Sequence, residues 1–235
     1  MMMYIAMLAV GLVYLVLMII TRLHGPNWQA AVLKSFTSFF FLMTLGAAAL
    51  TEGRHFQFAL FVGGGLLLGL MGDIWLELKG LYPEDSESWT MVGFLVFLMG
   101  HFFYLAAVTS VTGLQMEACA AGLVGALAAL AFIYIGEKPM HLQYGKFKAI
   151  FSIYGALLFF MAAYTVACAV LLRNLGLLVM GIGGALFLLS YMVLSMIYFG
   201  EEKKDRPAHL VINYVLYYMG QYLIASSVLW IGCGF

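Results

Sequence analysis

Hydrophobic residues fall in long blocks separated by short polar stretches. Windows of about 20 mostly apolar residues, the length a helix needs to cross the hydrocarbon layer, occur at roughly 3–21, 30–50, 56–78, 90–112, 114–135, 149–172, 174–199 and 209–233. The two-residue alternation of a barrel strand is absent, and a helix satisfies its own backbone hydrogen bonds in lipid. The pattern predicts an all-α fold, a polytopic membrane bundle of about eight transmembrane helices. These spans use most of the chain, so residues 1–235 are expected to form a single transmembrane domain.

The prolines support this division. Pro26, Pro83, Pro139 and Pro207 all lie between spans, in alternate connections that are also the longer and more charged ones. The remaining connections, around Thr51–His55, Gly113 and Arg173–Asn174, are tight turns. On the proline side lie Arg22, Lys79, Lys138, Lys146, Lys148, Lys203, Lys204 and Arg206; the opposite side carries Arg54 and Arg173. Lysine and arginine concentrate in cytoplasmic loops, so both termini are expected on the non-cytoplasmic side. The first span lacks a basic segment before it and a clear cleavage site after it, and reads as a retained helix.

Composition narrows the classes of function. The chain is 65% hydrophobic and 9% charged, with zero formal net charge, which excludes the basic face of a nucleic-acid binder. Cys119, Cys168 and Cys233 are far apart and form no metal-binding or disulfide pattern. Glycines cluster inside spans at Gly63–Gly65, Gly69, Gly72, Gly181, Gly183 and Gly184, where they are expected to let helices approach closely. The loop acids Glu84, Asp85, Glu87, Glu201, Glu202 and Asp205 are expected to be solvated.

Ionisable groups inside spans are costly unless they face the bundle interior. Four stand out: Lys34, Asp73, Glu77 and His101, accompanied by Thr37, Ser38, Ser190, Asn213, Tyr217 and Gln221. At 1.5 Å per residue, Lys34 and Asp73 lie about 6–8 Å from the proline-side edge, Ser190 about 13 Å, and His101 and Gln221 about 17–18 Å. Spacings of three and four residues put Lys34, Thr37 and Ser38 on one helix face. The same holds for Gly69, Asp73 and Glu77, for His101 and Tyr104, and for Asn213, Tyr217 and Gln221. The pattern predicts a wet recess that opens on the proline side and closes near the bilayer centre. Structural roles compete at each position: snorkelling for Lys34 and Glu77, a helix-tying hydrogen bond for Asp73, a buried neutral imidazole for His101, and interhelical bonding for Gln221.

A carboxylic acid in a poorly solvated recess can keep its proton near neutral pH and serve as a general acid. A histidine within reach could take a proton from water, and Lys34 could hold an anionic lipid headgroup. No nucleophile elbow or persuasive Ser–His–Asp order occurs. With His101 as the one histidine well inside a span, no metal centre is expected.

Gly72-Asp73, His101-Phe-Phe-Tyr104, the Gly183–Phe187 run leading to Ser190, and Tyr217-Tyr218 with Gln221 together resemble the YhhN-type lysoplasmalogenase family. Two positions depart from it: Lys34-Ser35 stands where the family usually has Lys-Pro, and Ser190-Tyr191 where it commonly has Ser-Asp. The resemblance implies a cofactor-free membrane hydrolase that cleaves the vinyl-ether bond of a lysoplasmalogen, a lysophospholipid, to a fatty aldehyde and a glycerophospho-ethanolamine or -choline. On that reading Asp73 is the proton donor or its stabiliser and His101 orients the water. Lys34, Tyr104, Ser190, Asn213, Tyr217 and Gln221 contact substrate. Two alternatives carry no chemistry: a lipid or small-solute transporter, and a silent lipid-binding relative.

Overall fold

A computed structural model describes residues 1–200 and 207–235; Lys203, Lys204, Arg206 and the acids Glu201, Glu202 and Asp205 lie outside the described residues. Among the described residues eight α-helices follow one another: α1 (Met2–Arg22), α2 (Trp28–Glu52), α3 (Phe56–Leu81), α4 (Ser86–Thr112), α5 (Met116–Gly136), α6 (Lys148–Leu172), α7 (Leu175–Phe199) and α8 (Pro207–Ser226). The first seven are long and apolar enough to span a membrane, which makes this an integral, multi-pass membrane protein. The eighth is more polar because it carries Asn213, Gln221 and a run of tyrosines, and these are turned inward and buried.

Local chemistry sets the helix ends. Asn27 and Asn174 cap α2 and α7, their side-chain oxygens accepting from the amides of Ala30 and Leu177 at 2.8 and 2.9 Å. The tight turn after α2 uses Gly53 at φ 71°, a left-handed conformation that suits a residue without a side chain. Sequence and structure differ at the last span. It was expected to run to residue 233, yet α8 stops at Ser226 and continues as a short 3₁₀ turn, Ser227–Trp230. The hydroxyls of Ser226 and Ser227 turn back onto the carbonyls of Tyr222 and Ile224. Asn174 Nδ2 then donates to Ile231 O at 2.7 Å, and Leu175 N to Cys233 O at 2.9 Å, tying the last residues to the α6–α7 corner.

Helices joined through the longer loops pack as antiparallel pairs, α1 with α2, α3 with α4, α5 with α6 and α7 with α8. Further contacts of α2 with α3, α4 with α6, α6 with α7 and α8 with α2 close a ring of six helices. Helices α1 and α5 stand outside this ring, and much of their surface is exposed, including Val13, Val124 and Leu127. Such side chains face the acyl chains of a bilayer.

The intraspan glycines sit at close approaches, as expected. A Cβ on Gly183 would lie 2.7 Å from Gly220 O, and one on Gly220 would lie 2.7 Å from Gly183 O. Backbone therefore meets backbone between α7 and α8. On α3, a Cβ at Gly72 would run into the ring of Phe97 on α4.

Candidate active site

The ring encloses a cavity of about 230 Å³. Its mouth is marked by Arg22, Pro26, Lys79 and Gly80, all at the proline-side ends of α1–α3 or in the loop joining α1 and α2. One wall is charged, with Lys34 from α2 and Asp73 and Glu77 from α3. The lining contributed by α4, α6 and α7 is aromatic and apolar, built from Phe94, Phe97, Tyr154, Phe187, Tyr191 and Leu194. Ser190, Asn213, Tyr214 and Tyr217 complete the lining. The opening thus lies on the side the depth calculation indicated.

Four-residue spacing on α3 places Asp73 and Glu77 one above the other, and both reach Lys34 across the α2–α3 contact. Lys34 Nζ is 3.3 Å from Glu77 Oε2 and 3.7 Å from Asp73 Oδ1, while Arg22 Nε lies 3.0 Å from Glu77 Oε1. Lys34, Asp73 and Glu77 are all at most 6% exposed. Snorkelling is therefore corrected for Lys34 and Glu77: each is turned inward, because an acid and a base within reach cost less at this depth than either charge facing lipid. The expectation that Lys34 holds a headgroup changes with it. Lys34 lines the cavity, but its ammonium is engaged by two carboxylates.

Asp73 accepts two side-chain hydrogen bonds on one oxygen. Ser38 Oγ donates to its Oδ2 at 2.6 Å and Tyr217 OH donates to the same oxygen at 2.7 Å. Behind these, Ser38 Oγ is 3.1 Å from Tyr218 OH, and Gln221 Nε2 donates to Tyr217 OH at 3.3 Å. Tyr104 OH donates to Gln221 Oε1 at 2.8 Å. Asn213 Nδ2 donates to Ser190 O and Oγ at 2.8 and 3.2 Å, joining α8 to α7.

Of the eight residues singled out from the sequence, Lys34, Asp73, Ser190, Asn213 and Tyr217 line the cavity. Tyr104 and Gln221 stand behind Tyr217. His101 is also set back. Its ring centroid is 5.1 Å from that of Phe187 and 5.4 Å from that of Tyr154, both of which face the cavity. Its Nδ1 bonds the carbonyl of Phe97 at 2.7 Å, and its Nε2 is buried without a partner among the described residues. No hydrogen bond or ion pair joins His101 to Asp73 among them.

The YhhN family matches the chain over residues 29–228, which include every residue of the Asp73 network. The chain belongs to the YhhN family. No curated protein and no solved structure matches it at a significant level. Both departures from the usual YhhN pattern have a local structural account. Ser35 returns its hydroxyl to Ala31 O at 2.9 Å and leaves α2 continuous. Tyr191, where an acid is common, turns away from Asp73, donates to Phe151 O at 2.7 Å and stacks on the Phe151 ring at 4.2 Å.

Sequence reading undervalued Arg22 and Lys79, which look like loop charges; it placed Ser38 on the Lys34 face without pairing it to Asp73, and gave Tyr218 no role. The signal for Ser38 was its place one turn beyond Lys34, on the face that meets Asp73. Arg22 left no such signal, because its reach to Glu77 depends on how α1 packs.

Proposed function

We propose that this YhhN protein hydrolyses the vinyl-ether bond of lysoplasmalogens, releasing a fatty aldehyde and a glycerophospho-ethanolamine or -choline. One observation carries the reading. A buried carboxylate, Asp73, faces a membrane-embedded cavity with one charged and one aromatic wall, and its Oδ2 is already occupied by two hydroxyl donors. Such a cavity suits a substrate with a polar headgroup and an apolar chain on either side of the scissile bond.

The chemistry needs one acid and one water. A proton moves from the Asp73 carboxyl to the outer carbon of the vinyl ether; the C=C electron pair forms the new C–H bond, leaving an oxocarbenium ion. The carboxylate thus formed stabilises that cation. Water adds to the cationic carbon, and its surplus proton returns to Asp73. The resulting hemiacetal collapses to aldehyde and alcohol. Proton and carboxylate are regenerated in one cycle, so no second base is required, and His101 contributes by backing the aromatic wall.

The Tyr191 replacement favours a second reading, a relative that binds lysolipid without turning it over. Both are tested by measuring aldehyde release from a lysoplasmalogen by purified protein, wild type against Asp73→Asn and His101→Ala. Asp73→Asn is expected to lower the rate by about 10²–10⁴, the range for a general acid. Equal rates in folded wild type and Asp73→Asn remove the assignment, and tight binding with no aldehyde supports the silent relative. A loss in His101→Ala as deep as that in Asp73→Asn would return the imidazole to the reaction.

A further inference from the structure

Tyr104 and Gln221 do not line the cavity, yet a directed chain of hydrogen bonds connects them to Asp73. Tyr104 OH reaches Gln221 Oε1 at 2.8 Å, Gln221 Nε2 reaches Tyr217 OH at 3.3 Å, and Tyr217 OH reaches Asp73 Oδ2 at 2.7 Å. The chain runs from α4 through α8 to α3, and Tyr104, Gln221 and Tyr217 are at most 6% exposed.

Each phenol has one proton to give, and the amide has a donor end and an acceptor end. When Tyr217 spends its proton on Asp73, its remaining lone pair must accept, and the amide NH₂ of Gln221 supplies the donor. The carbonyl end of that amide then faces Tyr104, whose proton finds its acceptor there. Rotating the amide by half a turn would set its oxygen against a Tyr217 oxygen that has no proton left. It would also leave the Tyr104 proton without an acceptor. One arrangement satisfies all three contacts, and Tyr104 selects it.

A second donor reaches the same carboxylate oxygen from the other side, Ser38 Oγ at 2.6 Å, itself 3.1 Å from Tyr218 OH. Two donors therefore converge on Oδ2. Oδ1 accepts neither, and faces Lys34 Nζ at 3.7 Å.

We infer that Tyr104 and Gln221 are positioning residues: by polarising Tyr217 as a donor to Oδ2, they reserve Oδ1 of Asp73 as the oxygen that gives and recovers the reacting proton. This rests on the hydrolytic reading above for its catalytic meaning, while the hydrogen-bond chain itself can be tested without turnover.

The experiment compares purified wild type, Tyr104→Phe and Gln221→Met, with Asp73→Asn to identify the signal. Infrared spectra recorded on acidification locate the carboxyl C=O stretch of protonated Asp73, recognised by its loss in Asp73→Asn. With the proton on Oδ1, that C=O is Oδ2 and accepts two hydrogen bonds. Tyr104→Phe removes a single oxygen, frees the amide to turn and lets Tyr217 donate to Gln221 instead. The stretch should move to higher frequency in Tyr104→Phe, and likewise in Gln221→Met if that variant folds. Aldehyde release should show kcat reduced on the order of tenfold in Tyr104→Phe, the effect of losing one good hydrogen bond, with KM unchanged. An unmoved stretch together with unchanged kcat in folded Tyr104→Phe overturns the inference. A KM change alone also overturns it, since that marks a packing role. If wild type releases no aldehyde, the hydrolytic reading fails separately, and the infrared shift still decides whether the chain polarises Asp73.

Discussion

Replacing Lys34 with methionine keeps most of its length and removes the charge between Asp73 and Glu77. At 3.3 and 3.7 Å, and with an effective dielectric constant of about 20, the attractions to Glu77 and to the ionised form of Asp73 amount to about 5 and about 4.5 kcal/mol before desolvation is counted. Burying the ammonium cancels much of this gain. What the variant exposes is the reverse cost: two carboxylates remain inside the bundle with Arg22 as their neighbouring cation on Glu77. Breaking a buried pair from one side costs about 3–5 kcal/mol. For a chain of this size that corresponds to a melting temperature lower by about 6–20 °C. Asp73→Asn added to Lys34→Met removes the carboxylate left without a cation, since Glu77 keeps Arg22 at 3.0 Å, and should recover about 1–3 kcal/mol. The assay is a double-mutant cycle, with unfolding in detergent followed for wild type, both single variants and the double variant. Additivity within about 0.5 kcal/mol would show that the two side chains do not act as a buried pair, and the account of the charged wall would fall with it.

Gly69→Ala should lower aldehyde release while leaving the fold intact, because the new Cβ would stand 3.2 Å from Gln221 Nε2 and 3.6 Å from Tyr217 OH; unchanged kcat in the folded variant would count against a tightly fitted chain behind Asp73. Gly183→Val should destabilise the protein by at least about 2 kcal/mol, since its side chain would enter the backbone of α8 at Gly220, and thermal unfolding in detergent reads this directly. Cys233 is exposed beside the C-terminal turn; on the expected topology an impermeant thiol reagent applied to the non-cytoplasmic face of sealed membranes labels it, and labelling confined to the other face reverses the orientation.

The bundle was readable because lipid demands long apolar helices, and its connections carry proline, glycine and asparagine where helices must stop. The stripe positions of Asp73, Tyr217 and Asn213 were readable too, since a polar side chain inside a span has few places to go other than inward. Facing inward, however, does not specify depth within the packed core. His101 and Tyr104 share a helix face with the cavity-lining Phe94 and Phe97, yet the imidazole packs against Tyr154 and Phe187, which line the cavity in its place. Helical spacing carries no information about such layering, which depends on how large rings from α6 and α7 pack against α4. The end of α8 was misread for a related reason. Serine and glycine after Ala225 look tolerable in an apolar window, and the bonds that fold the last residues back come from Asn174, far away in sequence.

The pairing of Arg22 and Lys34 with acids that follow them in the chain bears on biosynthesis. Translation delivers both bases before either acid, so a nascent chain holding only α1 and α2 carries two positive side chains with nothing to neutralise them. That hairpin cannot settle into its final depth until α3 arrives with Asp73 and Glu77. The buried position of Lys34 therefore depends on the arrival of α3 with its two acids.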